Sequence, residues 1–178
     1  MEKRLGKIIA SHAGGNASKG AMTYKVSLPT SWIRQMGIEE TRKIEIGFDG
    51  TTISIEKPTS PLEFAKSKLL QGHKIKKLLY YDNQTLCTVM YADFTDKTIR
   101  AENYVKNAIK CAFGNNPLPD WDVFQTFLAE RCIPKERSGI REYLEAIGID
   151  AYNPVEIIKK TEGRMAEDNQ WLKMEDFK

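Results

Sequence analysis

No pair of cysteines in this chain is close enough to read as a metal or redox motif. Its three, Cys87, Cys111 and Cys132, are odd in number and widely separated. The two histidines, His12 and His73, lie near neither each other nor a cysteine. Neither a disulfide framework nor a structural zinc site is expected. No apolar run approaches the roughly 20 residues needed to cross a bilayer, and the first residues lack the apolar core of a signal peptide. The expectation is a cytoplasmic protein with no membrane partner. Internal repeats and low-complexity stretches are absent. So are a Walker loop, a metal motif and a nucleophile at catalytic spacing from a base, so neither enzyme activity nor a cofactor is expected. Apolar and charged fractions of 41% and 29% are those of an ordinary globular protein. A length of 178 residues holds one medium domain or two small ones.

Net charge is also small, +3, and argues for no particular partner alone. Its distribution is more telling. Residues 1–58 hold nine Lys/Arg against six Asp/Glu, residues 59–119 nine against five, and residues 120–178 nine against thirteen. Within residues 1–38 the basic side chains Lys3, Arg4, Lys7, Lys19, Lys25 and Arg34 face a single acid, Glu2. A basic stretch suits a phosphate backbone and an acidic end does not.

The periodicity predicts a strand over 5–11, a Gly/Ser/Asn loop over 12–20 and a second strand over 21–28. A two-turn helix over 29–36 follows, with Pro29 in its first turn and Gly37 just past its end. Trp32 and Met36, four apart, share a face of it, and Trp32 reads as core. Alternating strands over 43–48 and 51–56 flank Asp49-Gly50, a hairpin signal whose tight form needs positive φ at both positions. Pro58 to Pro61 reads as a boundary. Beyond it come a helix over 61–70, a three-stranded meander over 74–81, 85–94 and 98–104, and a short helix over 105–113. The remainder reads as helical: 120–131, 137–147, and 153 to about 161 behind the cap pair Asn153-Pro154. The expected organisation is α+β, with regions 1–58, 59–116 and 117–178.

A unit of 58 residues with four short strands and one small helix is marginal alone. Its apolar strand positions Ile8, Val26, Leu28, Ile44, Ile46, Ile53 and Ile55 need cover, and a twofold copy supplies it most simply. Here the residues resemble a known family. Val26-Ser-Leu-Pro-Thr-Ser-Trp-Ile-Arg-Gln-Met-Gly-Ile38, followed by Arg42-Lys-Ile-Glu-Ile46 and Asp49-Gly-Thr-Thr-Ile-Ser-Ile55, is similar to the AbrB/MazE/SpoVT pattern. That resemblance implies a dimeric swapped-hairpin β-barrel that binds double-stranded DNA with basic residues of both subunits. It points to Lys25 before the Leu-Pro step and Arg34 in the short helix, and more weakly to Lys7 and Lys19. Asn16 and Ser18 in the loop add candidate hydrogen-bonding groups. The loop over 12–20 is longer than in many members. Such lysines and arginines chiefly neutralise phosphates and read little sequence.

In the C-terminal part, Cys111-Ala-Phe-Gly114, Trp121-Asp-Val-Phe124, residues 127–134 and Gly163-Arg-Met-Ala-Glu-Asp168 with Trp171 resemble a segment of bacterial proteins associated with HipA-like systems. None of that kinase's catalytic motifs is present. Glu162, Arg164, Glu167 and Asp168 read as a solvated face rather than a catalytic pair. Arg131, Lys135, Arg137 and Arg141 alternate with Glu130, Glu136 and Glu142, which predicts local pairing. The functional expectation is a homodimeric DNA-binding transcription regulator with a folded sensing or partner-binding C-terminal region. The alternative is an antitoxin or adaptor that binds a toxin-like protein through residues 59–178.

Overall fold

The computed structural model describes residues 3–15, 18, 20–41 and 43–178. The chain is α+β and divides into two compact units, Met1–Pro58 and Thr59–Lys178. Among the described residues no helix is long and apolar enough to cross a membrane.

The first unit contains two separate antiparallel hairpins and a short helix. Strand β1 (Ile8–His12) pairs with β2 (Met22–Val26) in the register Ile8↔Val26, Ile9↔Lys25, Ala10↔Tyr24, Ser11↔Thr23 and His12↔Met22. Helix α1 (Thr30–Gln35) follows. Pro29 stands before its first turn rather than inside it, in extended conformation at φ −60° and ψ 136°, and its carbonyl accepts from the N–H groups of Trp32 and Ile33. Gly37, at φ +64°, ends the helix. Trp32 and Met36 are half-buried, and the Arg4 guanidinium lies 5.7 Å from the Trp32 ring centre.

Strands β3 (Glu45–Phe48) and β4 (Ile53–Glu56) form the second hairpin. Its turn corrects the tight form expected at Asp49-Gly50, since only Gly50 takes positive φ (+98°). The Asp49 carboxylate instead accepts from the N–H groups of Thr51 and Thr52 at 2.9 and 2.8 Å. This widens the connection to residues 49–52. Those hydrogen bonds also hold the Asp49 carboxyl below its ordinary value. Within one chain the described strands of this unit do not close into a barrel.

The second unit is built on a four-stranded antiparallel sheet of order β7-β6-β5-β8. Helix α2 (Pro61–Leu70) starts at a reciprocal cap, in which the Ser60 hydroxyl accepts from Glu63 N–H while Glu63 accepts from Ser60 N–H. Strands β5 (Ile75–Asp82), β6 (Thr85–Asp93) and β7 (Thr98–Asn103) form the expected meander. The region over 105–113 is irregular except for a single 3₁₀ turn, Ala108–Lys110, which corrects the expected short helix. Its backbone is pinned to the sheet instead: Ala112 N–H donates to Thr88 Oγ1 at 3.1 Å, and Asn103 donates to the Gly114 carbonyl.

Helices α3 (Trp121–Glu130), α4 (Ile140–Ala146) and α5 (Pro154–Thr161) follow. Helix α4 begins three residues later than expected, because Gly139 at φ +79° interrupts helical geometry. The larger correction is at the end of the chain. Residues 170–176 are a strand, β8 (Gln170–Asp176), and not part of a helical terminus. It pairs along β5 from Lys76↔Asp176 to Asp82↔Gln170. Leu172 and Met174 alternate into the core, a period-two pattern that a helix would scatter around its axis.

Alternation along the strands separates two cores. Leu78, Tyr80, Met90, Ala92, Ile99 and Leu172 meet Phe124, Leu128, Leu144, Ile157 and Ile158 of α3, α4 and α5. On the opposite face Ile75, Val89 and Tyr91 meet Ala65 of α2. Residues 59–116 and 117–178 therefore share one core. A bulge reconciles the faces: Tyr80 pairs with Thr88 and Tyr81 with Leu86. Cys87 is left between them and points into the first core, and Leu86 into the second.

Candidate nucleic-acid interface

The register of the first hairpin sorts its side chains, because neighbours along a strand point to opposite sides. Ile8, Ala10, His12, Met22, Tyr24 and Val26 share one face, and Ile9, Ser11, Thr23 and Lys25 share the other. Lys25 is thus exposed on a mixed face, with the Ser11 and Thr23 hydroxyls and with Ile9, its exposed cross-strand partner. Lys7 is exposed and immediately precedes β1. Alternation along β2 already puts Thr23 on the face of Lys25, whereas Ser11 and Ile9 become its neighbours only once the register is known.

Arg34 is exposed on α1 and its Nε lies 3.3 Å from Glu39 Oε2, with both side chains more than half exposed. Such a surface pair is worth little and exchanges readily for another anion. Ser18 is exposed, and its carbonyl accepts from Ala21 N–H. Lys19 and Asn16 lie outside the described residues. The second hairpin differs in character. Ile46, Phe48, Ile53 and Ile55 share its apolar face, and Glu45 and Glu56 share the polar one. Of the two hairpins, only the first presents a basic polar surface among the described residues.

Both apolar faces are open in the single chain. Relative exposure is 69% for Ile8, 68% for Tyr24, 63% for Ile46, 71% for Phe48 and 66% for Ile53, while Ile38 is the single fully buried apolar side chain among the described residues of this unit. Each hairpin therefore leaves a row of apolar side chains uncovered in the single chain.

The motif residues of the second unit are spent on internal structure. Arg131, at the end of α3, is 7% exposed and does not pair within its own helix as expected. Its guanidinium donates to the Gly163 carbonyl at 3.0 and 2.8 Å, to both Asp168 oxygens at 2.5 and 3.0 Å, and to the Gln170 carbonyl at 2.7 Å. The bond from Arg131 holds the Asp168 carboxyl below its usual range, the reverse of what a general acid needs. At Gly163 the chain passes close to its neighbours: a Cβ there would stand 3.1 Å from Leu172 Cδ1 and 3.2 Å from Arg131 Cβ. Trp171 stacks on Tyr81 at 4.4 Å, donates to the Asn83 carbonyl at 2.7 Å, and carries the Arg164 guanidinium 4.7 Å from its ring centre. Tyr80 hydrogen-bonds Gln170, and burial pushes its phenol up to about 12. Arg164 also pairs with Glu162. The expected pairing with Glu142 is replaced by Arg141–Glu145 along α4.

Among the described residues one group combines an imidazole with carboxylates at ligand spacing: His73, Asp93 and Asp96. Burial raises the Asp93 carboxyl, but hydrogen bonds from His73 and from the N–H groups of Thr95 and Asp96 outweigh it and hold it below the ordinary value. Against known proteins the chain has no match among family models, curated proteins or solved structures.

Proposed function

We propose that the chain is a homodimeric DNA-binding transcription regulator. In this reading Met1–Pro58 is an AbrB/MazE-type swapped-hairpin module, and Thr59–Lys178 is a folded region that senses a signal or binds a partner. The observation that carries the reading is the two-sided character of the first hairpin. The face of Tyr24 and Val26 is apolar and open and needs a partner, while the face opposite holds Lys25 with Ser11, Thr23 and Ile9. A second copy covers the apolar faces of both hairpins and brings two sets of Lys7, Lys25 and Arg34 onto one assembly. Lys19 belongs to the same proposed surface. Doubling the basic set on one rigid body multiplies phosphate contacts without new chemistry.

The test joins light scattering with fluorescence anisotropy on random-sequence duplex DNA over a salt series. A dimer that binds with affinity falling steeply in salt supports the reading. A folded dimer that binds no duplex at low salt refutes the DNA role, and a stable monomer refutes the assembly. The separate two-core fold of Thr59–Lys178 favours one second reading, an adaptor or antitoxin acting through that unit. Co-purification of a specific partner by residues 59–178 alone would support it over DNA binding.

A further inference from the structure

The turn joining β6 to β7 gathers charged groups against the end of α2. Asp93, the last residue of β6, is fully buried. His73, between α2 and β5, is half-buried, and Asp96 lies in the turn itself. His73 Nδ1 stands 2.7 Å from Asp93 Oδ2 and 3.6 Å from Asp96 Oδ2. One ligand atom from each of the three lies within 4.8 Å of the others. Ligands held at 2.0–2.1 Å by a tetrahedral ion stand roughly 3.3 Å apart, so the 3.6 Å between His73 and Asp96 suits one. His73 Nδ1 and Asp93 Oδ2, hydrogen-bonded to each other, must move apart by about 0.6 Å to admit it.

The donors are also braced. Asp93 Oδ1 accepts from the N–H groups of Thr95 and Asp96 at 2.8 and 3.2 Å, which fixes the carboxylate and leaves Oδ2 toward His73. Such a supporting shell is what orients metal ligands. A second observation shows that the place attracts positive charge: the Lys68 ammonium, reaching over from α2, is bonded to Asp96 and lies 3.9 Å from Asp93 Oδ2. The Lys68 ammonium bonds Asp96 and the His73 imidazole bonds Asp93, and a dication that takes all three as ligands would replace both contacts.

We propose that His73, Asp93 and Asp96 bind a divalent transition-metal ion of the Zn²⁺ class, with Lys68 as the resident cation that the metal displaces. One imidazole and two carboxylates suit Zn²⁺, Mn²⁺ or Fe²⁺, and three donors are too few for the oxygen cage of Ca²⁺. Lys68 is on a flexible stem at the protein surface and can turn to solvent when the ion enters. The bound ion would tie the end of α2 to the β6–β7 turn.

The test titrates the full chain, first stripped with chelator, with Co²⁺ followed by visible absorption and with Zn²⁺ followed by calorimetry. One equivalent per chain is expected, with ligand-field bands from Co²⁺. H73Q and D96N, each checked for native circular dichroism, weaken binding tenfold or more, and K68M strengthens it. Failure of the wild-type chain to bind saturably overturns the proposal. So does binding confined to K68M, or binding that H73Q and D96N leave unchanged.

Discussion

Replacing Arg131 by methionine tests whether the Gly163-to-Trp171 segment of the second unit is held by one buried guanidinium. The substitution keeps most of the stem's volume and removes five hydrogen bonds, two to Asp168, two to the Gly163 carbonyl and one to the Gln170 carbonyl. Breaking a buried pair from one side costs about 3–5 kcal/mol, mostly from the group left uncompensated. The Asp168 side chain is 33% exposed and recovers part of its hydration, so the expected loss lies near the lower end, about 3 kcal/mol. With a urea dependence of about 2 kcal/mol/M, that lowers the midpoint by about 1.5 M.

The assay is urea unfolding of the full chain in a W32F background, which leaves Trp121 and Trp171 of the second unit as fluorophores. R131K should recover little, since a single ammonium does not reproduce a planar fork. D168N added to R131M should cost nothing further, because it removes the stranded carboxylate.

The pH dependence has a definite sign. The folded-state carboxyl of Asp168 is depressed, so its contribution is present above the unfolded value of 3.8 and is lost as pH falls through the lower folded value. The gap between wild type and R131M should therefore be level at neutral pH and narrow below about pH 3.8. R131M within about 0.5 kcal/mol of wild type, the range of an ordinary surface change, would overturn the assigned role of Arg131. So would R131K of full wild-type stability.

Other outcomes follow from the same structure. K25A should weaken duplex binding and flatten its salt dependence by about 0.9 for each phosphate it no longer neutralises, read by anisotropy between 50 and 200 mM salt; an unchanged slope removes Lys25 from the interface. F48E places a charge on the open apolar face of the second hairpin, and light scattering should then report monomer where the wild type is dimer. Cys132 is buried and its thiol is pushed up to about 11, so alkylation at pH 8 should require unfolding and proceed only as urea is raised. G163A meets Leu172 and Arg131 at 3.1 and 3.2 Å in a left-handed backbone, at φ +58°, and should cost about 1–3 kcal/mol by urea unfolding.

Much of the local structure was legible in the chain itself. Helix α2 lies over the residues its caps announce, because Ser60, Pro61 and Glu63 satisfy the first-turn N–H groups locally. The meander lies where the sequence puts it, and Asn83, in the gap between the strands expected over 74–81 and 85–94, takes the positive φ of +52° that a tight turn uses. Lys25 and Arg34 were visible as basic residues, but Glu39 beside Arg34 was not, since that pair depends on the chain turning after Gly37. The tight turn expected at Asp49-Gly50 failed for a local reason: a side chain took the hydrogen bonds that backbone geometry was expected to make. Arg131 was expected to pair locally, but its partners are 32 to 39 residues away.

Sequence alone therefore settled part of what neighbours in the chain decide: the caps of α2 and α5, strand alternation, and the boundary near Pro58. What distant segments do to one another was left to the tertiary structure. Only pairing with β5 makes a strand of residues 170–176, since a short alternating run has no partner to hydrogen-bond until the sheet exists. Only the hairpin register decides that Ile8, Ala10 and His12, rather than Ile9 and Ser11, share the face of Tyr24 and Val26, because a slip of one residue would exchange them. The same holds for His73, Asp93 and Asp96: His73 and Asp93 are unremarkable twenty residues apart in the chain, and the three meet because a helix end and a hairpin turn are packed on one sheet.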